Sequence, residues 1–204
     1  MKLVVGLGNP GSEYENTRHN AGFRAVDLLG TEFSAGFRSK SHVLRGTTYE
    51  YAKVEIAKQE VILLKPMTYM NLSGTAVKAA LDWFKIEVAD LIVLHDDVSL
   101  PLGKIRIQNG AGAGGQHGVE SIIENLKGNK AFNRIKIGVG PDPGGAIRHK
   151  FVLAPVAEED QQLYLDVLTM TAQAVKFIIR NGHGRAANKY NGMDLRPLEE
   201  ESPS

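Results

Sequence analysis

Cysteine is missing from this chain of 204 residues. Its absence excludes disulfide bonds, thiolate nucleophiles and metal sites with sulfur ligands. Long apolar runs are missing too, since no stretch approaches the roughly 20 apolar residues that a membrane-spanning helix needs. The first residues, MKLVVGLGNPG, show no basic segment followed by a long apolar run, which a secretory leader would have. We therefore predict a soluble, cytoplasmic protein.

An excess of charge of either sign is also lacking, because the formal net charge is only +1 at pH 7. The composition as a whole does not indicate a nucleic-acid binder, although such binding needs only a local basic face. With 43% hydrophobic residues, the chain can bury roughly 70% of its unfolded surface around one core. We predict one domain over residues 1–190, a disordered tail over residues 191–204 and, since no apolar surface stripe is evident, a monomer.

Hydrophobic periodicity alternates between the strand and helix patterns along the chain. A helix follows the third predicted strand, with Asn71 or Ser73 as its cap and an apolar stripe between residues 76 and 84. The pattern predicts an α/β fold: a single globular domain with a central, mixed but mainly parallel, twisted sheet and helices on both faces. The other predicted elements are strands at residues 2–7, 42–57, 60–64, 91–94, 104–108 and 134–139, and helices at residues 21–29, 119–126 and 158–180.

The most informative segment is residues 3–23, LVVGLGNPGSEYENTRHNAGF. It places His19 and two asparagines near the carboxyl end of a predicted strand, where open α/β sheets form their ligand crevices. A second predicted strand is followed by Asp96 and Asp97. The unperturbed pKa of histidine, about 6.5, suits a base near neutral pH. One imidazole beside carboxamides therefore indicates proton-transfer chemistry on a substrate rich in amide or ester groups.

Two glycine-rich segments, residues 6–11 and 110–115, fit the G-x-G-x-x-G pattern of dinucleotide sites. The first contains Pro10, which has no N–H to offer a pyrophosphate, and the second follows an edge-like strand. We interpret both as tight turns and expect no nicotinamide cofactor. A metal at residues 95–97 is also disfavoured, because neighbours on a strand point to opposite faces and no second His/Asp pair lies at ligand spacing.

Five blocks of the sequence, taken in order, resemble those of a known family. They are VGLGNPGSEYENTRHNAGF, KPMTYMNLSG, LHDDVSLPLGKIRI, GGQHGVESII and FNRIKIGVGP. Over residues 2–188 the chain resembles bacterial peptidyl-tRNA hydrolase. The resemblance implies a single α/β globule with a central mixed sheet. It also implies cleavage of the ester that joins a peptide to the 3′ end of tRNA, with peptidyl-tRNA as the partner and no cofactor.

The resemblance assigns catalysis to His19 and Asp96. His19 would be the general base, while Asp96 would accept the other imidazole N–H, fix the tautomer and stabilise the imidazolium that forms. The residues taken alone leave alternatives open. His19 is equally typical of a helix start, Asp96 of a turn cap, and Asp97 could do the orienting just as well.

Substrate-binding roles also follow from the resemblance. Asn9 matches an asparagine that contacts substrate near the base, and Asn71 matches one that binds the peptide and the attacking water. A carboxamide pairs with the N–H and C=O of a peptide group, which favours N-blocked peptidyl groups over free aminoacyl groups. Taken alone, Asn9 is typical of a turn and Asn71 of an N-cap. Tyr14 and Met70 could equally belong to the core. The remaining cleft residues implied are Tyr14, Tyr69 and Met70.

The glycine loop departs from the family pattern. Gln116 stands where the family usually has a histidine, and His117 stands where it usually has a third pocket asparagine. His117 could still bind substrate, because a histidine donates one hydrogen bond, but it cannot offer a carbonyl and an amine together. Taken alone, His117 is an exposed loop histidine.

A second departure lies in the basic clamp that the family uses for the 5′ phosphate of tRNA. Gln108 and Lys136 stand at the matching positions; the first is neutral, and the second lacks the bidentate geometry of a guanidinium. Arg106, two residues before Gln108 on the same strand face, could substitute. These losses leave a non-catalytic RNA-binding protein as the alternative function.

The loop at residues 141–150 matches a mobile segment beside the substrate channel of the family, but it is equally typical of a surface connection.

Overall fold

The computed structural model describes residues 1–197. Strands and helices alternate over most of that length, as the periodicity predicted. The strands are β1 (Lys2–Gly6), β2 (Arg38–His42), β3 (Thr47–Ile56), β4 (Gln59–Pro66), β5 (Leu91–Pro101), β6 (Ile105–Asn109) and β7 (Asn133–Gly140). The helices are α1 (Ala21–Glu32), α2 (Ser73–Phe84), α3 (His117–Asn125), α4 (Ile147–Val152), α5 (Gln161–Asn181) and α6 (His183–Tyr190).

One sheet joins all seven of these strands in the order β2-β3-β4-β1-β5-β7-β6. The four central strands β4, β1, β5 and β7 run parallel, whereas β2, β3 and β6 pair antiparallel at the two sides. This arrangement confirms the predicted mixed, mainly parallel sheet. The predicted strand at residues 91–94 continues as β5 to Pro101, so Asp96 lies within this strand and not after it. Because β1 ends at Gly6 opposite Leu94, the residues that follow β1 meet the second half of β5.

Two apolar cores lie on opposite faces of the sheet, which confirms the prediction of helices on both faces. Helices α1 and α5 cover one face, and α2 and α3 cover the other. The residues of the two central strands alternate between the cores: Val4 and Ile92 belong to the first, and Leu3 and Leu91 to the second. Burial on both sides explains why β1 and β5 have continuous apolar runs instead of an alternating pattern.

Two glycines let α1 approach the sheet more closely than side chains would permit. A Cβ on Gly6 would lie 2.1 Å from the carbonyl oxygen of Gly22, and a Cβ on Gly22 would lie 2.3 Å from the carbonyl oxygen of Leu94. The start of α1 therefore rests directly on β1 and β5. The 3-10 turn immediately before it, Arg18–Asn20, is thereby held beside the carboxyl end of β1 and the middle of β5.

Several element boundaries differ from the predictions. The predicted strand at residues 42–57 is interrupted by a turn at Val43–Arg45, which closes at Gly46 with φ of 57°. Neither of the predicted caps of α2 acts as one, because a 3-10 turn at Met70–Leu72 leads into the helix without a side-chain cap. Helices α4 and α6 were not predicted, since turn-forming glycines and prolines surround the first and glycines flank the second.

The segment after α6 is more ordered than predicted. The Asn191 side chain accepts a hydrogen bond from the Ile107 N–H at 2.7 Å and donates one to the Ile107 carbonyl at 3.1 Å. The Leu195 N–H donates to the Gly103 carbonyl at 3.0 Å. An edge strand leaves backbone groups unpaired, and Asn191 satisfies two of those on β6. The prediction of a disordered tail thus fails for residues 191–197, and residues 198–204 lie outside the described part.

In the stretch from residue 1 to residue 197, no helix combines the length and apolar content needed to traverse a bilayer.

Candidate active site

His19 and Asp96 meet where the turn before α1 lies against β5. The Nδ1 atom of His19 is 2.9 Å from Oδ2 of Asp96. Because an ionised carboxylate only accepts, Nδ1 carries the proton and Nε2 of the neutral ring is left as the acceptor. Nε2 makes no hydrogen bond to any residue from 1 to 197, and it is not sealed from solvent.

The carboxylate makes the His19 imidazole more basic than usual. Burial lowers the pKa of His19, but the charge of Asp96 and its hydrogen bond raise it by more, so that the pKa lies above the ordinary value. The side chain of Asp96 is only 4% exposed, so water screens this pair weakly. A histidine held by a buried carboxylate, with its second nitrogen accessible, has the features of a general base.

Asp97, the other carboxylate that could orient His19, serves a different partner. Its Oδ2 is 2.7 Å from Nζ of Lys136, and its Oδ1 accepts hydrogen bonds from the backbone and hydroxyl groups of Ser99. Burial raises the pKa of Asp97, but the hydrogen bonds from Lys136 and Ser99 lower it by more. Of the two neighbouring carboxylates, Asp96 is therefore the one that contacts His19.

His95, the residue before Asp96, is buried, and its ring bonds to the backbone. The Nδ1–H of His95 donates to the backbone carbonyl of Asp96 at 2.7 Å, and Nε2 is buried without a partner among residues 1–197. Burial is the main reason that the pKa of His95 is lowered to about 4, so the ring is neutral at pH 7.

Asn9 is fixed by three hydrogen bonds, to Met70 and Asn20. Its Oδ1 accepts the Met70 N–H at 2.8 Å. Its backbone N–H donates to Asn20 Oδ1 at 2.8 Å, and its carbonyl accepts from Asn20 Nδ2 at 3.0 Å. Because Oδ1 faces Met70, the amide Nδ2 points the other way; it has no partner among residues 1–197 and is not sealed from solvent. Asn9 thus presents a free N–H donor of fixed direction.

Gln116 joins Asp96 to the Met70 segment, and the sequence did not single it out for this role. Its Nε2 donates to Asp96 Oδ1 at 3.0 Å and contacts Met70 Sδ at 3.3 Å, while its Oε1 accepts the Val119 N–H at 2.9 Å. The sequence signals were its place in the glycine loop, where the family usually has a histidine, and its position three residues before the predicted helix at residues 119–126.

The remaining predicted cleft residues are not drawn into this network. Tyr69 and Asn71 flank Met70 and are exposed, Tyr69 by 60%. Tyr14 is half-buried in the turn Ser12–Tyr14. Among residues 1–197, the side chains of these three form no hydrogen bond. The structure therefore brings His19, Asp96, Asn9 and Met70 together and leaves Tyr14, Tyr69 and Asn71 at the surface nearby in sequence.

A cleft of about 280 Å³ opens beside His19 and Asp96. One wall is the glycine loop with His117, the first residue of α3, whose side chain is exposed. The opposite wall belongs to α4 and the residues before it. The other lining residues are His95, Asp97, Val98, Ala113, Gly114, Gly115, Gln116, Lys136, Gly145, Arg148, His149 and Val152.

Arg18 ties the second wall to the turn that carries His19. Its Nη1 donates to the carbonyls of Ala154 and Pro155 at 3.3 and 2.5 Å, and its guanidinium lies 4.2 Å from the ring centre of Phe151. The Arg18 N–H also donates to Ala154 at 3.1 Å. These contacts hold the end of α4 beside the turn that carries His19.

The predicted phosphate contacts lie on neighbouring strands. Arg106 on β6 and Lys136 on β7 are directly opposite each other in the register, as are Gln108 and Arg134. Arg106 is exposed and forms no ion pair with a residue in the range 1–197. Lys136 is paired with Asp97, so Arg106 supplies the uncompensated charge of this pair. Over those same residues, no three His, Cys, Asp or Glu side chains converge as a metal site would require.

Comparisons with known proteins identify the family of this chain. The peptidyl-tRNA hydrolase family model matches residues 3–198. The peptidyl-tRNA hydrolase of Clostridium perfringens (strain SM101 / Type A) is 39% identical over 196 residues, covering 96% of this chain and 100% of that protein. The one from Syntrophomonas wolfei is 38% identical, covering 94% and 100%. The crystal structure of peptidyl-tRNA hydrolase from Acinetobacter baumannii aligns with a TM-score of 0.85 at 31% identity, covering 96% of this chain and 97% of that one. The chain therefore belongs to the peptidyl-tRNA hydrolase family.

Proposed function

We propose that this chain hydrolyses the ester between a peptide and the 3′ end of tRNA, with His19 as the general base. The observation that supports this proposal is the 2.9 Å contact between His19 Nδ1 and Asp96 Oδ2, together with an Nε2 that remains open to solvent beside a cleft. Family membership gives the substrate class, and the geometry supplies a base in the correct tautomer.

In the proposed reaction, Nε2 of His19 removes a proton from water as the water oxygen attacks the ester carbonyl carbon. Asp96 stabilises the imidazolium that forms. When the tetrahedral intermediate collapses, the bond to the ribose oxygen breaks, and the imidazolium returns its proton to that oxygen. The products are free tRNA and the peptide carboxylic acid, which releases its proton to solvent to become the carboxylate. Since the imidazole supplies the base, we propose that the step needs neither a metal ion nor a cofactor.

Carboxamides hold the acyl group in this proposal. The free Nδ2 of Asn9 has a fixed direction, so it can donate to the peptide carbonyl or to the oxyanion without reorganising. Asn71, exposed next to Met70, binds the peptide part and the attacking water. Tyr14, Tyr69 and Met70 line the approach, where a ring stacks on the terminal adenine and the thioether accepts varied side chains. His117 adds one donor from the glycine-loop wall.

Arg106 and Lys136 bind phosphate of the tRNA in the proposal. The ion pair with Asp97 reduces the attraction of Lys136 for an anion, so Arg106 contributes the larger share. Contacts of this kind fix the orientation of the nucleic acid without reading its sequence.

The decisive experiment replaces His19 by alanine and follows release of a labelled N-acylated amino acid from tRNA. We expect kcat/KM to fall by about 10² to 10⁴, with the melting temperature and tRNA binding retained. The matched control is His183→Ala, which removes an exposed histidine at the start of α6. Hydrolysis by His19→Ala at the parent rate would overturn the assignment of the base. Wild-type protein that binds tRNA without releasing peptide would instead support a non-catalytic RNA-binding function, which the departures at His117 and Gln108 motivate.

A further inference from the structure

We propose that Gln116 is a positioning residue, which holds Asp96 in the orientation that His19 requires. The proposal rests on the proposed function, because it concerns the partner of the general base. Gln116 is buried, and its Nε2 lies 3.0 Å from Oδ1 of Asp96. The two carboxylate oxygens of Asp96 thus have separate donors, Gln116 on one side and His19 on the other.

The orientation of the Gln116 amide is determined by its second contact. The Val119 N–H is a donor, so the group facing it at 2.9 Å must be the carbonyl oxygen Oε1. Nε2 is thereby forced to the opposite side, toward Asp96 and the Met70 sulfur. An exchange of the amide oxygen and nitrogen would break the contacts with both Val119 and Asp96.

Close packing keeps this arrangement from shifting. A Cβ on Gly118 would lie 2.5 Å from Met70 Sδ and 3.0 Å from Gln116 Oε1. The first turn of α3 therefore lies directly on Met70, and the buried Gln116 side chain could leave Asp96 only by giving up its contacts with Val119 and Met70. Without its second donor, the Asp96 carboxylate could rotate, and Oδ2 would lose its fixed position against His19.

The residue type matters because an amide does not titrate. Gln116 donates the same hydrogen bond to Asp96 on both sides of the pH at which His19 changes charge. A histidine at this place would itself gain charge near neutral pH. Gln116 therefore adds no ionisation of its own beside His19.

Two variants separate positioning from capping. Gln116→Glu retains an oxygen that can accept the Val119 N–H, but it places a second carboxyl group against Asp96. Two adjacent carboxylates share a proton, which raises one pKa strongly. Gln116→Met has a similar length and loses both hydrogen bonds. The control is Ser121→Ala in the same helix, which removes the 3.0 Å hydrogen bond from the Gly74 N–H without touching Asp96.

The measurement is kcat/KM against pH for these variants, with His19→Ala in the same assay and melting temperatures recorded. For Gln116→Met we expect a loss of about tenfold or more at every pH, the usual size for a hydrogen bond to a charged group. For Gln116→Glu we expect a new decline on the alkaline side, where the introduced carboxyl group ionises and repels Asp96. Ser121→Ala should follow the parent profile.

Each outcome has one meaning. If both Gln116 variants keep the parent rate and profile while His19→Ala is inactive, Gln116 is only a helix cap: this proposal is overturned and the proposed function stands. If His19→Ala remains active, the proposed mechanism fails first. A Gln116→Glu profile that differs from the parent only in scale would also contradict positioning, because a purely structural loss adds no new ionisation.

Discussion

The two nitrogens of His19 have different tasks. Nδ1 donates a hydrogen bond to Asp96, and Nε2 remains accessible. The charge of Asp96 raises the pKa of the imidazole despite burial, so in the proposed mechanism protonation of His19 removes the base at low pH. The acidic limb of kcat/KM should therefore lie above the pKa of about 6.5 that an isolated histidine shows.

Replacing Asp96 by asparagine tests this relation. The variant loses the charge that raises the pKa, whereas burial, which lowers it, remains. We expect the acidic limb of kcat/KM to move to lower pH and the plateau to fall by about 10² to 10⁴, because the imidazolium is no longer stabilised. The control is Asp90→Asn, which removes a carboxylate bound to Lys2 just before β5. A limb that stays in place in Asp96→Asn would show that another group titrates.

At the scale of the helices and strands, the half-buried Arg18 connects two parts of the cleft. It links the turn before α1 to the end of α4 through two carbonyls and the Phe151 ring. Since α4 contributes His149 and Val152 to the cleft, the order of one cleft wall depends on Arg18.

Arg18→Met should loosen that wall. Methionine keeps an apolar stem but provides neither the donors to Ala154 and Pro155 nor the charge over Phe151. We expect backbone amides in residues 147–155 to exchange about tenfold faster, and KM to rise more than kcat falls, since substrate must then order the wall. Hydrogen exchange by mass spectrometry and steady-state kinetics measure the two effects. Arg24→Met is the control, because Arg24 lies over Tyr164 and not over α4; unchanged exchange in Arg18→Met would refute the link.

For strands and helices, the sequence predicted those features that depend on the local pattern of apolar residues. The continuous apolar runs of β1 and β5 predicted buried parallel strands, whereas the pairing of His19 with Asp96 came from the family resemblance. Helix α4 was missed because glycine and proline before it outweigh a short apolar signal. The contact of Gln116 with Asp96 was missed because the two residues are 20 positions apart, and no spacing rule indicates which way a loop side chain points.

The buried imidazole of His95 makes the stability of the whole molecule depend on pH. His95 is neutral in the fold, with a pKa lowered to about 4 mainly by burial, whereas in the unfolded chain it takes up a proton near pH 6.5. The unfolded state therefore binds more protons between these values. Stability is lost as pH falls through this window, by on the order of 3 kcal/mol for this group alone.

His95→Asn should remove that dependence. Asparagine can still donate to the Asp96 carbonyl, but it has no proton to gain. We expect the free energy of unfolding of the variant to fall less steeply than that of the parent between pH 6.5 and 4, as measured by urea denaturation at several pH values. His183→Asn, at an exposed position, should keep the parent slope. Equal slopes for His95→Asn and the parent would mean that the fold does not hold this ring neutral.

The Asn191 side chain forms hydrogen bonds with both the N–H and the carbonyl of Ile107, which face away from β7 at the edge of the sheet. Strand edges with free backbone groups are where one molecule can stack onto another and begin to aggregate. The stretch from residue 191 to residue 197, which contributes nothing to the proposed chemistry, therefore shields β6 from a neighbouring copy. A chain shortened at residue 190 would keep the His19–Asp96 pair and the cleft, but it would expose the edge of β6. We therefore expect residues that take no part in the proposed chemistry to protect this protein from aggregation.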